Sequence, residues 1–346
     1  MTRRALLLAL GVLKRDRLLE YRDPATGDIR PVRTEREWER FRRPQILTAM
    51  QEVMGPLPGK EKQCPLDVRV EGEEDAGKCI RRLITYASEP NAPRVPAYLL
   101  IPKPEPRPGS ARAVLCLHPT DNTIGHKVVV GLGGLPNRQY ALELSSRGYV
   151  TLSPAYPLLA NYQPDWRALG YRSGTMKAIH DNRRALDLLE SLPYVRTKGG
   201  VGVIGHSLGG HNSVYTAIFD FRIRAIVSSC GLDSYADYMK GDIRGWTSDR
   251  YMPKLLDYAG KLQDLPFDFH EMLAALAPRA CLISAPFGDA NFRWESVDRV
   301  VASARQVYSL YGSSEALRVI HPDSAHDFPD GARQTAYAMF DSALAR

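Results

Sequence analysis

The chain has 346 residues, 44% of them hydrophobic and 25% charged, which is enough apolar side chain for a buried core and excludes a disordered chain. Its 27 glycines and 25 prolines are scattered, which excludes collagen-like and low-complexity architecture. The net charge of +7 is spread without long runs of one sign, and no nucleic-acid motif is present, so nucleic acid is not an expected partner.

Near the N-terminus, Arg3 and Arg4 precede an apolar run, Ala5 to Leu13. This is the outline of a signal peptide, but charged residues follow at once with no small-residue cleavage site, so the run reads as an amphipathic helix of the mature protein. It is too short to span a membrane, and no other stretch approaches that length. A cytoplasmic protein is the expectation, with a secreted or periplasmic one as the alternative. The five cysteines show neither a disulfide framework nor zinc spacing. Cys116, Cys230 and Cys281 sit in apolar runs and read as buried thiols, and the sequence leaves open whether Cys64 and Cys79 pair.

Residues 1–80 read as a helical extension covering a core. Thr34 and Glu37 fit a capping box, opening a helix through Trp38, Phe41, Ile46, Leu47 and Met50 that stops near Gly55. Pro44 is expected to kink or break it. Residues 81–346 read as one catalytic domain. Two short strands, Arg82 to Ala87 and Pro96 to Ile101, form an expected antiparallel pair. Further apolar runs at Ala113 to Leu117, Tyr149 to Leu152, Val201 to Ile204, Ile223 to Ser229, Ala280 to Ala285 and Leu317 to Ile320 suit strands buried on both faces. Helical patterns fall between them, at Tyr140 to Arg147, Ser173 to Leu192, 208–219, 296–312 and 331–345. This alternation predicts an α/β fold with a mostly parallel central sheet and helices on both faces. Ligands in such sheets bind at the C-terminal strand ends.

Chemistry is legible at one such end. Val201 to Ile204 runs into Gly205-His-Ser-Leu-Gly209 and then a helix, which is the context a nucleophile elbow requires. The pattern names Ser207 as the nucleophile. A serine needs a base, and the base an orienting acid. Beyond the helix after Ser207, the histidines are His270, His321 and His326. His326 lies in a turn after the last strand and is the preferred base, since His321 ends that strand and His270 opens a helix. The preferred acid is Asp289, in the loop after Ala280 to Ala285, with Asp233 one strand earlier as the rival. Leu208 N–H and Thr120 N–H are the candidate oxyanion donors, because Pro119 has no N–H to offer. His118 reads as packing under that loop.

These residues resemble the α/β-hydrolase fold, and within it the dienelactone hydrolase-like and acetyl xylan esterase-like serine esterases. Tyr171-Arg-Ser-Gly174, Gly245-Trp246, Tyr251-Met-Pro253, Ala277-Pro-Arg279 and His326-Asp-Phe-Pro329 match a less studied branch of them. The resemblance implies a carboxylesterase using a Ser-His-Asp triad and an acyl-enzyme, with no metal or organic cofactor. A serine stands where the better-known dienelactone hydrolases have cysteine, which favours ordinary ester hydrolysis. An insertion at about 231–277 is expected to cap the site, and Trp246, Tyr251, Trp294 and Arg293 are candidate substrate contacts. Small-molecule, carbohydrate and polymeric esters all remain open as substrates. The alternatives are a serine peptidase of the prolyl oligopeptidase kind and a non-catalytic hydrolase-fold module.

Overall fold

The computed structural model describes residues 17–345. The apolar run Ala5 to Leu13 lies outside them. A short hairpin of β1 (Glu20–Arg22) and β2 (Ile29–Pro31) leads into the capping box, where Thr34 and Glu37 satisfy each other's backbone N–H groups. The helical turn Glu35–Glu37 continues through a π-helical segment, Trp38–Arg42, into α1 (Arg43–Met54). The π segment explains how the helix survives Pro44. The Arg43 N–H reaches back to Trp38 O, and the widened register precedes the proline that has no N–H to give. The chain therefore stays helical through Pro44 and does not break there.

The body is built on a mixed nine-stranded sheet among the described residues, in the order β11-β10-β9-β8-β6-β7-β5-β4-β3. Its strands are β3 (Arg69–Asp75), β4 (Cys79–Tyr86), β5 (Val95–Pro102), β6 (Ala113–Leu117), β7 (Val150–Pro154), β8 (Val201–His206), β9 (Ile223–Ser229), β10 (Ala280–Ser284) and β11 (Leu317–Ile320). Strands β3, β4, β5 and β7 pair antiparallel, and from β7 to β11 every pairing is parallel. The edge strand β3 is exposed throughout, and it belongs to the sheet although it precedes position 80.

The central strands bury both faces, and their side chains alternate between two cores. Leu115, Val203, Ile226 and Ile283 face the core covered by α3 (Gly174–Ser191), α4 (Leu208–Phe219) and α6 (Trp294–Leu310). Val114, Ile204, Val227 and Leu282 face the core covered by α2 (Tyr140–Ser145) and α7 (Asp330–Ala343). The segment after β9 is mostly short 3-10 turns until α5 (Phe269–Ala274), whose capping box pairs Asp268 with Glu271. All five cysteines are free thiols, so Cys64 and Cys79 are not joined. No described helix is long and apolar enough to cross a membrane.

Candidate active site

The elbow forms because β8 must hand over to α4 within one residue. Ser207 holds φ 53° and ψ −118°, a left-handed backbone that a side-chain-bearing residue adopts only under constraint. The constraint is the close packing of strand, elbow and helix. A Cβ on Gly205 would lie 2.1 Å from the Gly209 carbonyl, and one on Gly209 would lie 2.0 Å from Leu117 O. Ser207 N–H donates to Ser229 O at 2.8 Å, which ties the turn to the end of β9. Leu208 is the first residue of α4, so its N–H has no acceptor within the helix.

On the neighbouring strand ends, the loops after β10 and β11 are laced together. Ala285 N–H bonds Ile320 O, Phe287 N–H bonds Pro322 O and Gly288 N–H bonds Ser324 O. This ladder sets Asp289 opposite His326. The imidazole Nδ1 lies 3.0 Å from Asp289 Oδ1 and 2.9 Å from Oδ2. Asp289 Oδ1 also accepts from the N–H groups of Asn291 and Phe292. Burial pushes the Asp289 carboxyl up, but the His326 hydrogen bond and charge and these two N–H groups outweigh it, so the carboxyl stays below its ordinary value. An ionised Asp289 requires a proton on Nδ1, which leaves Nε2 free to act as a base.

The His326 side chain is 30% exposed, whereas that of Asp289 is 1% exposed. The histidine therefore spans from the buried carboxylate to the open side of the site. The His206 ring, directly before Ser207, lies 4.9 Å from the His326 ring, and Phe292 lies 5.9 Å away on another side. The loop is clamped from α2's approach: Arg138 pairs with the Asp327 carboxylate and donates to His326 O. Asn137 donates to the other Asp327 oxygen at 2.6 Å. Sequence reasoning missed Arg138 and had Asp327 only as part of the His326-Asp-Phe-Pro329 motif, because no local pattern links residues so far apart in the chain.

The alternative residues are engaged elsewhere. His321 bridges Ala285 O and Asp298, which fixes the base of the loop. His270 is buried in α5. Asp233 accepts from Arg293 N–H rather than facing His326, and burial raises its carboxyl to about 8. His118 accepts the Tyr156 N–H at Nε2 and bonds Pro119 O through Nδ1, so it props the loop that carries Thr120.

The substrate candidates divide. Tyr251 reaches the oxyanion loop, with its hydroxyl 3.1 Å from Thr120 Oγ1. Trp246 is buried at the centre of an aromatic group with His211, Tyr235, Tyr238, Phe269 and Phe292, at ring distances of 4.8–5.9 Å. Its indole N–H has no partner. Trp294 sits instead with Phe287 and His321, above the edge of the sheet. The Arg293 side chain points into solvent near Glu295. Among the described residues, one triple of metal-ligating types comes together, Cys230, Asp289 and His326.

This geometry belongs to a known fold. The family described as "Glucuronyl esterase, fungi" matches residues 173–312, which span the elbow, the acid loop and α6. A glucuronoyl esterase from Solibacter usitatus superposes with a TM-score of 0.73 at 20% identity, covering 94% of this chain and 97% of that one. The chain has the α/β-hydrolase fold of that esterase. A carbohydrate esterase family 15 glucuronoyl esterase from Caldicellulosiruptor kristjansonii superposes with a TM-score of 0.67 at 18% identity, over 91% of this chain and 88% of that one. In sequence, the chain is 24% identical to the Bacillus subtilis protein named "Putative hydrolase YtaP", over 79% of this chain and 90% of that protein.

Proposed function

We propose that this hydrolase cleaves carbohydrate-linked carboxylic esters through Ser207, His326 and Asp289. The observation that carries the reading is the His326–Asp289 pair, held on adjacent strand ends beside an elbow whose serine has a strained backbone. In the reaction Ser207 Oγ attacks the ester carbonyl carbon while His326 Nε2 takes its proton. Asp289 holds the imidazole by Nδ1 and stabilises the imidazolium that forms. The Leu208 and Thr120 N–H groups bind the oxyanion. His326 then gives the proton to the leaving alcohol, and a water activated by the same nitrogen hydrolyses the acyl-enzyme.

The sugar preference draws on two supports. One is the family match and the glucuronoyl esterase neighbours. The other is Tyr251, half-buried with its hydroxyl at the Thr120 loop, whose ring and hydroxyl suit a hydroxylated sugar ring. An ester of a sugar carboxylic acid, such as a glucuronoyl ester, is the substrate this reading favours.

The test is hydrolysis of benzyl glucuronate alongside p-nitrophenyl esters from acetate to octanoate, with Ser207→Ala beside the native protein. Turnover of both substrate types that falls about 10⁴- to 10⁶-fold in the variant is the expected result. Hydrolysis of p-nitrophenyl acetate without benzyl glucuronate sinks the sugar-acid preference and leaves the esterase. A variant that keeps most of its activity sinks the nucleophile assignment.

A further inference from the structure

Cys230 follows β9 in a left-handed backbone, φ 47°. That conformation is uncommon for a residue with a side chain. It places the thiol beside the acid–base pair, with Sγ 3.2 Å from Asp327 O. One ligand atom each from Cys230, Asp289 and His326 lie within 4.8 Å of one another. The other four cysteines join no such group among the described residues. Sulfur, imidazole nitrogen and carboxylate oxygen are the three donor types that zinc selects.

We propose that Cys230, Asp289 and His326 form an inhibitory binding site for zinc(II). The His326–Asp289 separation of 2.9 Å needs to open only slightly to reach the roughly 3.3 Å between N and O ligands on one tetrahedral zinc. The sulfur must close from at most 4.8 Å to about 3.6 Å from the nitrogen, a shift of no more than about 1.2 Å. The fourth position is left for water or for Asp327 O.

Charge favours occupancy. A dication with one thiolate and one carboxylate is neutral, so the loaded site carries no net charge into a buried place. Binding releases the thiol proton to solvent. The imidazole proton moves from Nδ1 to Nε2 as the metal takes Nδ1, and no electron is transferred. A His326 that carries its proton on Nε2 cannot take the proton of Ser207, so the loaded enzyme is inactive. The inhibitory effect rests on the reading of His326 as the base, whereas the binding itself does not.

The experiment titrates the full chain with zinc while p-nitrophenyl acetate hydrolysis is followed. In parallel, cobalt(II) is added and the near-ultraviolet thiolate-to-cobalt absorption is recorded. Micromolar zinc should abolish hydrolysis, and EDTA should restore it. Cys230→Ser should keep the metal-free activity, need at least about tenfold more zinc and lose the cobalt–thiolate band. A variant as sensitive as the native protein overturns the site. If neither Cys230→Ser nor Cys230→Ala folds, the native spectrum decides, since cobalt bound without a thiolate band overturns it too. A native protein that shows the band yet still hydrolyses the ester confirms the binding, overturns the inhibition and removes His326 as the base.

Discussion

The Tyr251 hydroxyl lies 3.1 Å from Thr120 Oγ1, which joins the segment after β9 to the loop after β6. The same ring packs near His211 and against the group formed by Tyr156 and Leu208. One tyrosine thus touches both flanks of the place where the oxyanion is proposed to form. Removing its hydroxyl should loosen the Thr120 loop without emptying the packing. Tyr251→Phe is expected to lower kcat/KM on p-nitrophenyl acetate by about 2- to 10-fold, the usual worth of one neutral hydrogen bond. Thr120→Val should do the same, and the double variant should lose no more than either single one. Additive losses would show that the bond does not organise the loop.

The elbow glycines make a sharper prediction on stability. Gly205→Ala and Gly209→Ala each place a methyl near 2 Å from backbone atoms that cannot move aside. Both should fail to fold or lose several kcal/mol of stability. Gly331, early in α7, has nothing within 4 Å of where a Cβ would stand. Gly331→Ala should therefore raise the unfolding midpoint, by about 1–3 °C. Thermal unfolding of the three variants checks the contrast, and equal behaviour would refute the crowding argument.

Most of this architecture could be read before any coordinates, for one physical reason. A strand buried on both faces is largely apolar, and Ala113–Leu117 and Ile223–Ser229 announce themselves with the bounds later observed, whereas Leu317–Ile320, expected to be buried on both faces, is an edge strand buried only at Leu317. The edge strand Arg69–Asp75 buries neither face, so its charged sequence carries no strand pattern and falls within the helical extension expected for residues 1–80. The elbow was legible because its two glycines answer a local steric demand. Arg138 and Cys230 were not, since each meets the His326 loop only after the sheet has assembled. Trp294 follows the acid loop in sequence, and α6 packs its ring against Phe287 and His321.

Buried titratable groups set a pH range for the fold. Burial drives His118 down to about 4, and His126 and His211 down to about 3. The unfolded chain binds protons at these residues as pH falls below about 6.5 while the folded chain does not, so stability is lost below that pH. Asp233 acts with the opposite sign. Its folded carboxyl holds a proton up to about 8, so it weakens the fold as pH rises from about 4 to 8. These histidines, joined by His180 and His206, which burial also lowers, outweigh the raised carboxyls on the acid side, and the raised carboxyls of Asp233 and Asp268 oppose stability as pH rises. The unfolding midpoint should peak near pH 6.5. Asp233→Asn should flatten the decline between about 6.5 and 8 and steepen the acid limb above about pH 4, where Asp233 opposes the histidines. A midpoint that keeps rising to pH 8 would refute the protonated Asp233.

The same two carboxyls separate orientation from burial. Asp289 is held below its ordinary value and bonds His326 with both oxygens, whereas Asp233 is held above its own and receives only the Arg293 N–H. Asparagine copies the shape of each but cannot carry charge. At Asp289 it removes the anion that fixes the Nδ1 tautomer and steadies the imidazolium, so kcat should fall by about 10³- to 10⁴-fold. At Asp233 it replaces a group that is already neutral at pH 7, so kcat should change by less than about 3-fold. At pH 7 Asp233→Asn should unfold at or above the native midpoint and Asp289→Asn only modestly below it, which separates a catalytic loss from a collapsed loop. If Asp233→Asn carries the large loss and Asp289→Asn the small one, the orienting acid comes from the end of β9, and the hydrogen bonds to Asp289 serve only to hold the His326 loop in place.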